Sequence, residues 1–372
     1  MDTLVAILRA VLFVVIAYAV VFIAALANIL YERRFMAFIG DRLGPNRTGP
    51  QGLLQSIADA FKMMGKEDFR PLLADPVLFT LAPITVMIGA VAIQLVLPYT
   101  GGAMATDLNI GIIFLVAITS FTTLSILMGG WASRNKYSLV GALRAAAQMI
   151  SYEIPMLLGL LIVAMVVGSL NINAVIAWQT HYHWLIFYLP FTFLSFYIAS
   201  LAELNRGPFD LPESESELVA GYATEYSGMR FGMFYLNEYA GLTIMSMVAV
   251  TLFFGGWMGP WATALHIWGV DWIGILWFLA KTYVLVSMLI WVRFSIPRLQ
   301  VDQLMAFAWK VLIPLGLVNI LATAAIILWV PSWKWGLAAF GWVSFFAFVG
   351  LLDPILKRRL RRQRERQPVV SA

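Results

Sequence analysis

Several ionisable side chains lie where apolar sequence should exclude them. Glu153 sits inside a long apolar run and is followed by Pro155, whose missing N–H and ring kink a helix. Glu238 lies about two turns into a later run, and Lys281 stands near the middle of the next. A charge at mid-bilayer costs at least ~2.5–3.5 kcal/mol, so such groups face protein or water and mark ion paths. Carboxylates in that setting suit proton carriage, which near neutral pH requires shifted acidities. The plainer alternative is a buried ion pair of Lys281 with Glu238 or Glu153, which is compatible with a relay.

A second set of acids fills the polar stretch Ala202-Glu203-Leu204-Asn205-Arg206-Gly207-Pro208-Phe209-Asp210-Leu211-Pro212-Glu213-Ser214-Glu215-Ser216-Glu217. Asp210 can cap a helix N-terminus, with Glu213 completing a capping box, and carboxylates in a first turn suit the helix dipole. That local role does less for Glu217 and Glu225, which with Gly221 recur at four-residue spacing on one helical face. Like charges so placed raise one another's pKa.

The elements that position these groups are membrane helices. Hydrophobic residues make up 61% of the 372 and charged residues 12%, more apolar than a soluble core of this length can hide. A bilayer core needs about 20 apolar residues per helix. The runs are Leu4–Leu30, Pro76–Pro98, Ile110–Gly130, Leu139–Gly168, Trp184–Leu201, Phe231–Gly256, Trp272–Val292, Phe307–Val330 and Gly336–Leu352. The expected fold is an all-α integral membrane protein: one polytopic domain of about nine transmembrane helices, an interfacial amphipathic helix and an acidic helical loop.

Nearly all Lys and Arg follow odd-numbered runs; connections after even-numbered runs carry only Lys334. By the positive-inside rule the N-terminus faces out, and the tail, 356–372, faces the cytoplasm or an organelle matrix. The basic tail Lys357–Arg366 reads as a stop-transfer anchor rather than a nucleic-acid site. Ala25-Leu26-Ala27 resembles a cleavage site, but its charges, Glu32-Arg33-Arg34, follow the apolar run, against a signal peptide.

Two inner connections, 31–75 and 202–230, are exceptional. In the first, Arg42-Leu43-Gly44-Pro45-Asn46-Arg47-Thr48-Gly49-Pro50 specifies tight turns. Leu53, Leu54, Ile57, Ala58, Phe61 and Met64 then alternate with Gln55, Asp59, Lys62 and Lys66, the pattern of a helix lying along the interface. The chain has no cysteine, which excludes disulfides and Cys-held zinc or iron–sulfur clusters within it. Its three histidines are not spaced as a haem pair. Any electrons must come from partners.

Three segments resemble signatures of one family. Glu32-Arg33-Arg34 with Arg42-Leu43-Gly44-Pro45-Asn46-Arg47 is similar to the first signature of the membrane subunit called H in bacterial complex I, the proton-pumping NADH–quinone oxidoreductase, and subunit 1 in mitochondria. Pro208-Phe209-Asp210-Leu211-Pro212-Glu213, running on through Glu217-Leu218-Val219-Ala220-Gly221-Tyr222 and Glu225-Tyr226, resembles the second. Asp302-Gln303-Leu304-Met305 with Trp309-Lys310 resembles the third. The ninth run and tail fit some bacterial members only, which places the chain in a bacterial inner membrane. Two departures stand out: Leu299-Gln300-Val301 replaces an arginine flanked by aromatics, and Gly40 stands where glutamine is common.

The resemblance implies a narrow chamber for ubiquinone or menaquinone where this subunit meets two peripheral subunits, one carrying the terminal iron–sulfur cluster. It implies an acidic path through Glu153, Glu203, Glu213, Glu215, Glu217, Glu225 and Glu238, and a chamber or entrance bordered by Arg33, Arg34, Asp59, Arg206, Phe209 and Asp210. No catalytic residue or metal is expected in this chain, and no cofactor bound by it alone; FMN, NADH and iron–sulfur clusters belong to partners. Other expected partners are antiporter-like membrane subunits, quinone and the lipid bilayer, with no nucleic acid. The rivals are a membrane subunit of an energy-converting hydrogenase or other quinone-linked dehydrogenase, a stand-alone proton-coupled transporter, and a structural anchor. The absence of an inverted repeat argues against the transporter. An anchor leaves Glu153 and Glu238 unexplained.

Overall fold

The computed structural model describes residues 2–101, 104, 106–210, 219–267, 270–330 and 333–366, without the side chains of 2–10, 13, 17, 267, 270 and 351–366. In chain order the helices are α1 (Asp2–Ile39), α2 (Gln55–Gly65), α3 (Pro76–Gln94), α4 (Gly111–Ala132) and α5 (Lys136–Val167). They continue with α6 (Ile172–His181), α7 (Leu185–Tyr188), α8 (Pro190–Glu203), α9 (Gly228–Phe253), α10 (Trp272–Ser295), α11 (Val301–Phe307), α12 (Ile313–Trp329) and α13 (Trp333–Arg366). One two-residue hairpin, His266–Ile267 with Val270–Asp271, lies between α9 and α10.

Seven segments among the described residues are long and apolar enough to cross a bilayer. They are α1, α3, α4, α5, α9, α10 and the stretch Val301–Trp329, where a π-helical turn at Ala308–Leu312 joins α11 to α12. The fifth apolar run is broken before Pro190 into α7 and α8, each shorter than a crossing requires. The ninth run lies within α13. Nine apolar runs thus become seven unbroken crossings, one broken pair and the last helix.

The helix starts follow from capping chemistry. Asp75 accepts the N–H groups of Val77 and Leu78 at 3.0 and 3.2 Å, with Pro76 opening α3. Asn135 caps α5 through the Tyr137 N–H at 2.9 Å. Gly168, with φ 75°, ends α5 in the left-handed conformation that glycine adopts without strain.

Small residues bring the helices together. A Cβ on Gly130 of α4 would lie 2.2 Å from Ala142 Cβ on α5, and one on Gly141 would lie 2.7 Å from Gly221 Cα. Helix α9 is enclosed by its neighbours over 83% of its most apolar window, so polar groups on it face protein.

The amphipathic helix forms where the sequence places it. Its apolar side chains Ile57, Phe61 and Met64 are exposed, whereas Asp59 turns back toward α1. That is the polarity of a helix whose apolar face meets lipid. In the acidic connection the described part, 219–227, is turns and a short 3₁₀ helix at Gly221–Ala223, with Val219 at φ 64°. Over 219–227 the chain therefore does not form the single helical face expected through Glu217, Gly221 and Glu225. Glu213, Glu215 and Glu217 lie outside the described residues.

Candidate functional site

A cluster of buried charge gathers at the end of the bundle that carries the basic connections. Glu32 on α1 is 1% exposed and Arg206, just after α8, is 2% exposed. Arg206 pairs with Glu32, and Glu32 pairs in turn with Arg293 of α10. Arg206 Nε also stands 2.8 Å from Glu238 Oε1, an ionic contact without hydrogen-bond alignment. Its guanidinium lies 4.0 Å above the Tyr239 ring, one residue along α9. Beside this set Arg298 Nη2 approaches Asp210 Oδ2 at 3.2 Å. Burial opposes the charge of Arg206, but the carboxylates of Glu238 and Glu32 overcome it and hold the guanidinium pKa above its ordinary value. Two arginines and two carboxylates then balance, the arrangement in which buried charges persist.

The segment bearing Arg206 is fixed by α5. Gln148 Nε2 donates to the carbonyls of Ala202 and Phe209, both at 2.7 Å, and the Tyr152 and Phe209 rings lie 5.4 Å apart. The Tyr152 hydroxyl donates to the Leu304 carbonyl at 3.0 Å, and the Leu299 N–H reaches the Pro208 carbonyl at 3.1 Å. The second and third signature segments are therefore one packed unit, although roughly 90 residues separate them.

Glu238 belongs to two places at once. It touches Arg206, and it also lines a cavity of about 60 Å³ between α3, α4 and α9. The polar lining of that cavity is Glu203, Asn205, Asn237, Glu238, Thr119 and Thr122. At ~10–15 Å³ per water the cavity has room for a short chain of waters. Glu203 Oε2 and Asn205 Oδ1 are fully buried without a protein hydrogen-bond partner, and they supply the polar contacts such waters need.

From Glu203 the acids continue outward to the flank of the bundle. Glu203 and Glu153 are close enough for their charges to interact. Glu153 Oε1 accepts a hydrogen bond from Ser120 Oγ of α4 at 2.6 Å, and this pair is partly exposed on the side of the chain. On the connection side, Glu225 Oε1 accepts from Asn135 Nδ2, also at 2.6 Å.

The residues expected to border an entrance form a separate group. Arg33 Nη1 meets Asp59 Oδ2 at 2.6 Å, tying α1 to α2, and Gln55 donates to the other Asp59 oxygen at 3.0 Å. Arg34 donates to the Gln51 carbonyl. Lys281 takes no part in either cluster. Its ammonium donates to the carbonyls of Phe254, Gly256 and Met258 at 2.8, 3.1 and 2.6 Å, beyond the end of α9. The sequence-based pairing of Lys281 with Glu238 or Glu153 is thus replaced by a carbonyl cap, because Lys281 packs beyond the C-terminal end of α9, some 16 residues along that helix from Glu238, and Glu153 is bonded to Ser120.

Sequence reasoning missed Glu32, Arg293, Arg298, Asn237 and Ser120 as members of these clusters. Glu32 reads as an interface flank beside Arg33-Arg34, and Arg293 and Arg298 read as inner-face anchors. The one available signal was Glu32 itself, an acid in an otherwise basic span end.

Most of the chain is similar in sequence to known proteins. The model of the NADH dehydrogenase family matches residues 11–324. The H subunit of the NADH-quinone oxidoreductase of Dehalococcoides mccartyi (strain ATCC BAA-2266 / KCTC 15142 / 195) is 46% identical over 320 residues, 86% of this chain and 87% of that one. The H subunit of the Geobacillus kaustophilus enzyme is 47% identical, covering 84% and 92%, and the H 1 subunit of the Geobacter metallireducens enzyme is 44% identical, covering 85% and 95%. The departing segment Leu299-Gln300-Val301 lies inside the matched region, whereas α13 lies beyond it. With the signature segments packed as one unit and the match running through nearly all the crossings, this chain belongs to the NADH dehydrogenase family.

Proposed function

We propose that this chain is the membrane subunit that forms part of the quinone chamber in a proton-translocating NADH–quinone oxidoreductase and carries the acidic path that couples quinone reduction to pumping. The observation that carries this reading is the double membership of Glu238, which contacts Arg206 at 2.8 Å and shares a cavity with Glu203.

With no cysteine, the chain holds no Cys-ligated cluster, so electrons reach the quinone from a partner subunit that carries the terminal iron–sulfur cluster. NADH and FMN belong to other partners. Quinone enters beside α1, α2 and α9, past Arg33, Arg34 and Asp59, and its head group comes to rest near Arg206, Phe209 and Asp210. Reduction of a quinone to a quinol consumes protons and changes the charge facing Arg206. Arg206 is held between two carboxylates, so a change on one side alters its hold on Glu238. Glu238 then exchanges protons with Glu203 through the cavity waters, and Glu203 with Glu153. Glu213, Glu215, Glu217 and Glu225 are the chamber-side start of this path.

Glu153 is half-buried in this chain alone, and a carboxylate facing hydrocarbon is disfavoured. Protein therefore covers it in the assembled complex, and the path passes there to neighbouring antiporter-like membrane subunits. The basic connections put the N-terminus outside and the C-terminus in the cytoplasm of a bacterial inner membrane.

The test is to purify the complex from cells carrying Glu238→Gln and assay two reactions. NADH-driven quinone reduction falls, while NADH oxidation by ferricyanide, which bypasses the membrane arm, is unchanged. Equal loss of both in an intact complex rules the reading out.

A further inference from the structure

Helix α2 lies against the bundle without being buried in it. Among its described residues only Ser56 is buried, and Ile57, Phe61 and Met64 face outward. A helix held this way owes its position to polar ties rather than to a shared core, which is the mark of an element that opens locally. The ties sit at its two ends. At the first, Arg33 of α1 meets Asp59 at 2.6 Å, and Gln55, which accepts from Thr48, donates to the same carboxylate at 3.0 Å.

At the second end the chain leaving α2 is latched to the start of α9. Arg230 Nε stands 3.2 Å from Asp68 Oδ2, and the Ser227 hydroxyl donates to the Glu67 carbonyl at 3.0 Å. Gly228, at φ 53°, lets the two backbones meet: a Cβ there would lie 3.2 Å from the Lys66 carbonyl oxygen and 3.5 Å from Asp68 Cα. Arg230 and Asp68 are both partly exposed, so water weakens their pair. Beyond it the described stretch 69–73 forms no helix, and Phe69, Leu72 and Leu73 are exposed. The chain is anchored again at Asp75, whose N–H meets the Ala132 carbonyl at 3.1 Å. The latch can therefore release without disturbing α3.

Release uncovers one face of α9. Gly228, Gly232, Tyr235 and Tyr239 follow the i, i+4, i+7, i+11 spacing of a single helical stripe. Met63 of α2 covers Gly232, where a built Cβ would lie 3.8 Å from Met63 Cβ. The Tyr235 and Tyr239 hydroxyls share a hydrogen bond at 3.1 Å, and the Tyr239 ring carries the Arg206 guanidinium. The stripe thus leads from the latch to the buried arginine.

We infer that α2 is a strap, hinged at the Arg33–Asp59 pair and latched to α9 through Glu67, Asp68, Ser227 and Arg230, whose latched end swings outward to let a long-tailed quinone pass along the Gly232–Tyr239 stripe. The strap presupposes the quinone chamber proposed above and gives it a door.

Met63 and Gly232 supply the test, because their 3.8 Å separation suits a disulfide and the chain has no cysteine of its own. The whole complex carrying Met63→Cys and Gly232→Cys is reconstituted into vesicles with the isoprenoid quinone extracted from its native membranes. It is oxidised with copper phenanthroline, and the bond is located by peptide mass spectrometry. NADH–quinone turnover is expected to fall in proportion to the cross-linked fraction and to return on reduction with dithiothreitol, with ferricyanide reduction constant throughout. Capping both thiols with methyl methanethiosulfonate adds bulk without a tie and leaves turnover near that of the reduced form. In the single variant Gly232→Cys, alkylation by N-ethylmaleimide quickens about two- to fivefold when Asp68→Asn is added, the worth of an exposed ion pair. Turnover by the cross-linked form at the reduced rate, equal loss in the capped form, or alkylation indifferent to Asp68 each overturns the strap. Quinone reduction absent from the unmodified complex instead refutes the chamber reading, and the strap with it.

Discussion

Arg206 Nε lies 2.8 Å from Glu238 Oε1, and this contact joins the charge cluster at one end of the bundle to the acid-lined cavity between α3, α4 and α9. Neither residue is part of the other's helix. Their meeting depends on the Gln148 bonds that hold the Ala202–Phe209 segment against α5. The proposed coupling therefore has a specific joint that can be cut from either side.

Cutting it at Glu238 leaves Arg206 paired with Glu32 and removes one proton carrier. Glu238→Gln keeps the shape of the cavity, so assembly is retained and quinone reductase activity falls by about a hundredfold, the low end for loss of a positioned acid–base group. The ferricyanide reaction of the same preparation stays at the level of the native complex.

Cutting it at Arg206 is a different perturbation. Arg206→Met leaves Glu32 and Glu238 buried with only Arg293 to balance them, and breaking such a cluster costs about 3–5 kcal/mol. The complex should lose thermal stability in detergent and assemble poorly. In the double variant Arg206→Met/Glu238→Gln, Glu32 and Arg293 remain as a neutral pair. Stability is expected to return in large part while quinone reduction does not, and thermal denaturation with the two-acceptor assay separates the outcomes.

Lys281 tests a structural role against a conducting one. Gly255 and Gly256, with φ 72° and 55°, turn the chain so that the carbonyls of Phe254, Gly256 and Met258 converge on its ammonium. Lys281→Met strands those carbonyls and should cost on the order of 2–3 kcal/mol, the worth of hydrogen bonds to a charged group. Turnover per assembled complex, normalised to the flavin content of the preparation, stays near native. A large fall in turnover without loss of stability would place Lys281 on the proton path instead.

The contrast between Lys281 and Glu238 also marks what sequence could reveal. Charges inside apolar runs were legible because their insertion cost demands an explanation, and Glu153, Glu238 and Lys281 all stand out on that ground. Their partners were not legible, because pairing depends on which helix faces meet and on bends at single residues. Glu32 was hidden by its neighbours Arg33 and Arg34, and Ser120 by being one hydroxyl among many on α4. The four-residue spacing of Glu217, Gly221 and Glu225 suggested one helical face, but Val219 turns the chain in the left-handed conformation before Gly221. Element types followed from hydropathy almost throughout. The break at Pro190 did not, since proline can either kink a crossing, as Pro155 stands within α5, or end it.

Gly141 offers a test of how closely α5 must approach the turn that leads to Glu225. A Cβ there would sit 2.7 Å from Gly221 Cα and 2.9 Å from the Tyr222 nitrogen, and neither backbone atom can rotate away. Gly141→Ala must displace the 3₁₀ turn Gly221–Ala223, which Ser138 also holds by donating to the Tyr222 carbonyl at 3.0 Å. Tyr222 lines the cavity with Glu203, and Glu225 is bonded to Asn135 at the head of α5. Overpacking of this kind costs about 1–3 kcal/mol, little enough for the complex to assemble. Quinone reduction and proton pumping should both fall while ferricyanide reduction holds. Asn135→Ala, which frees Glu225 and removes the cap of α5, should show the same pattern with about 1 kcal/mol lost in stability. If Gly141→Ala pumps normally, the turn is not part of the path, and Glu238, Glu203 and Glu153 carry the coupling without it.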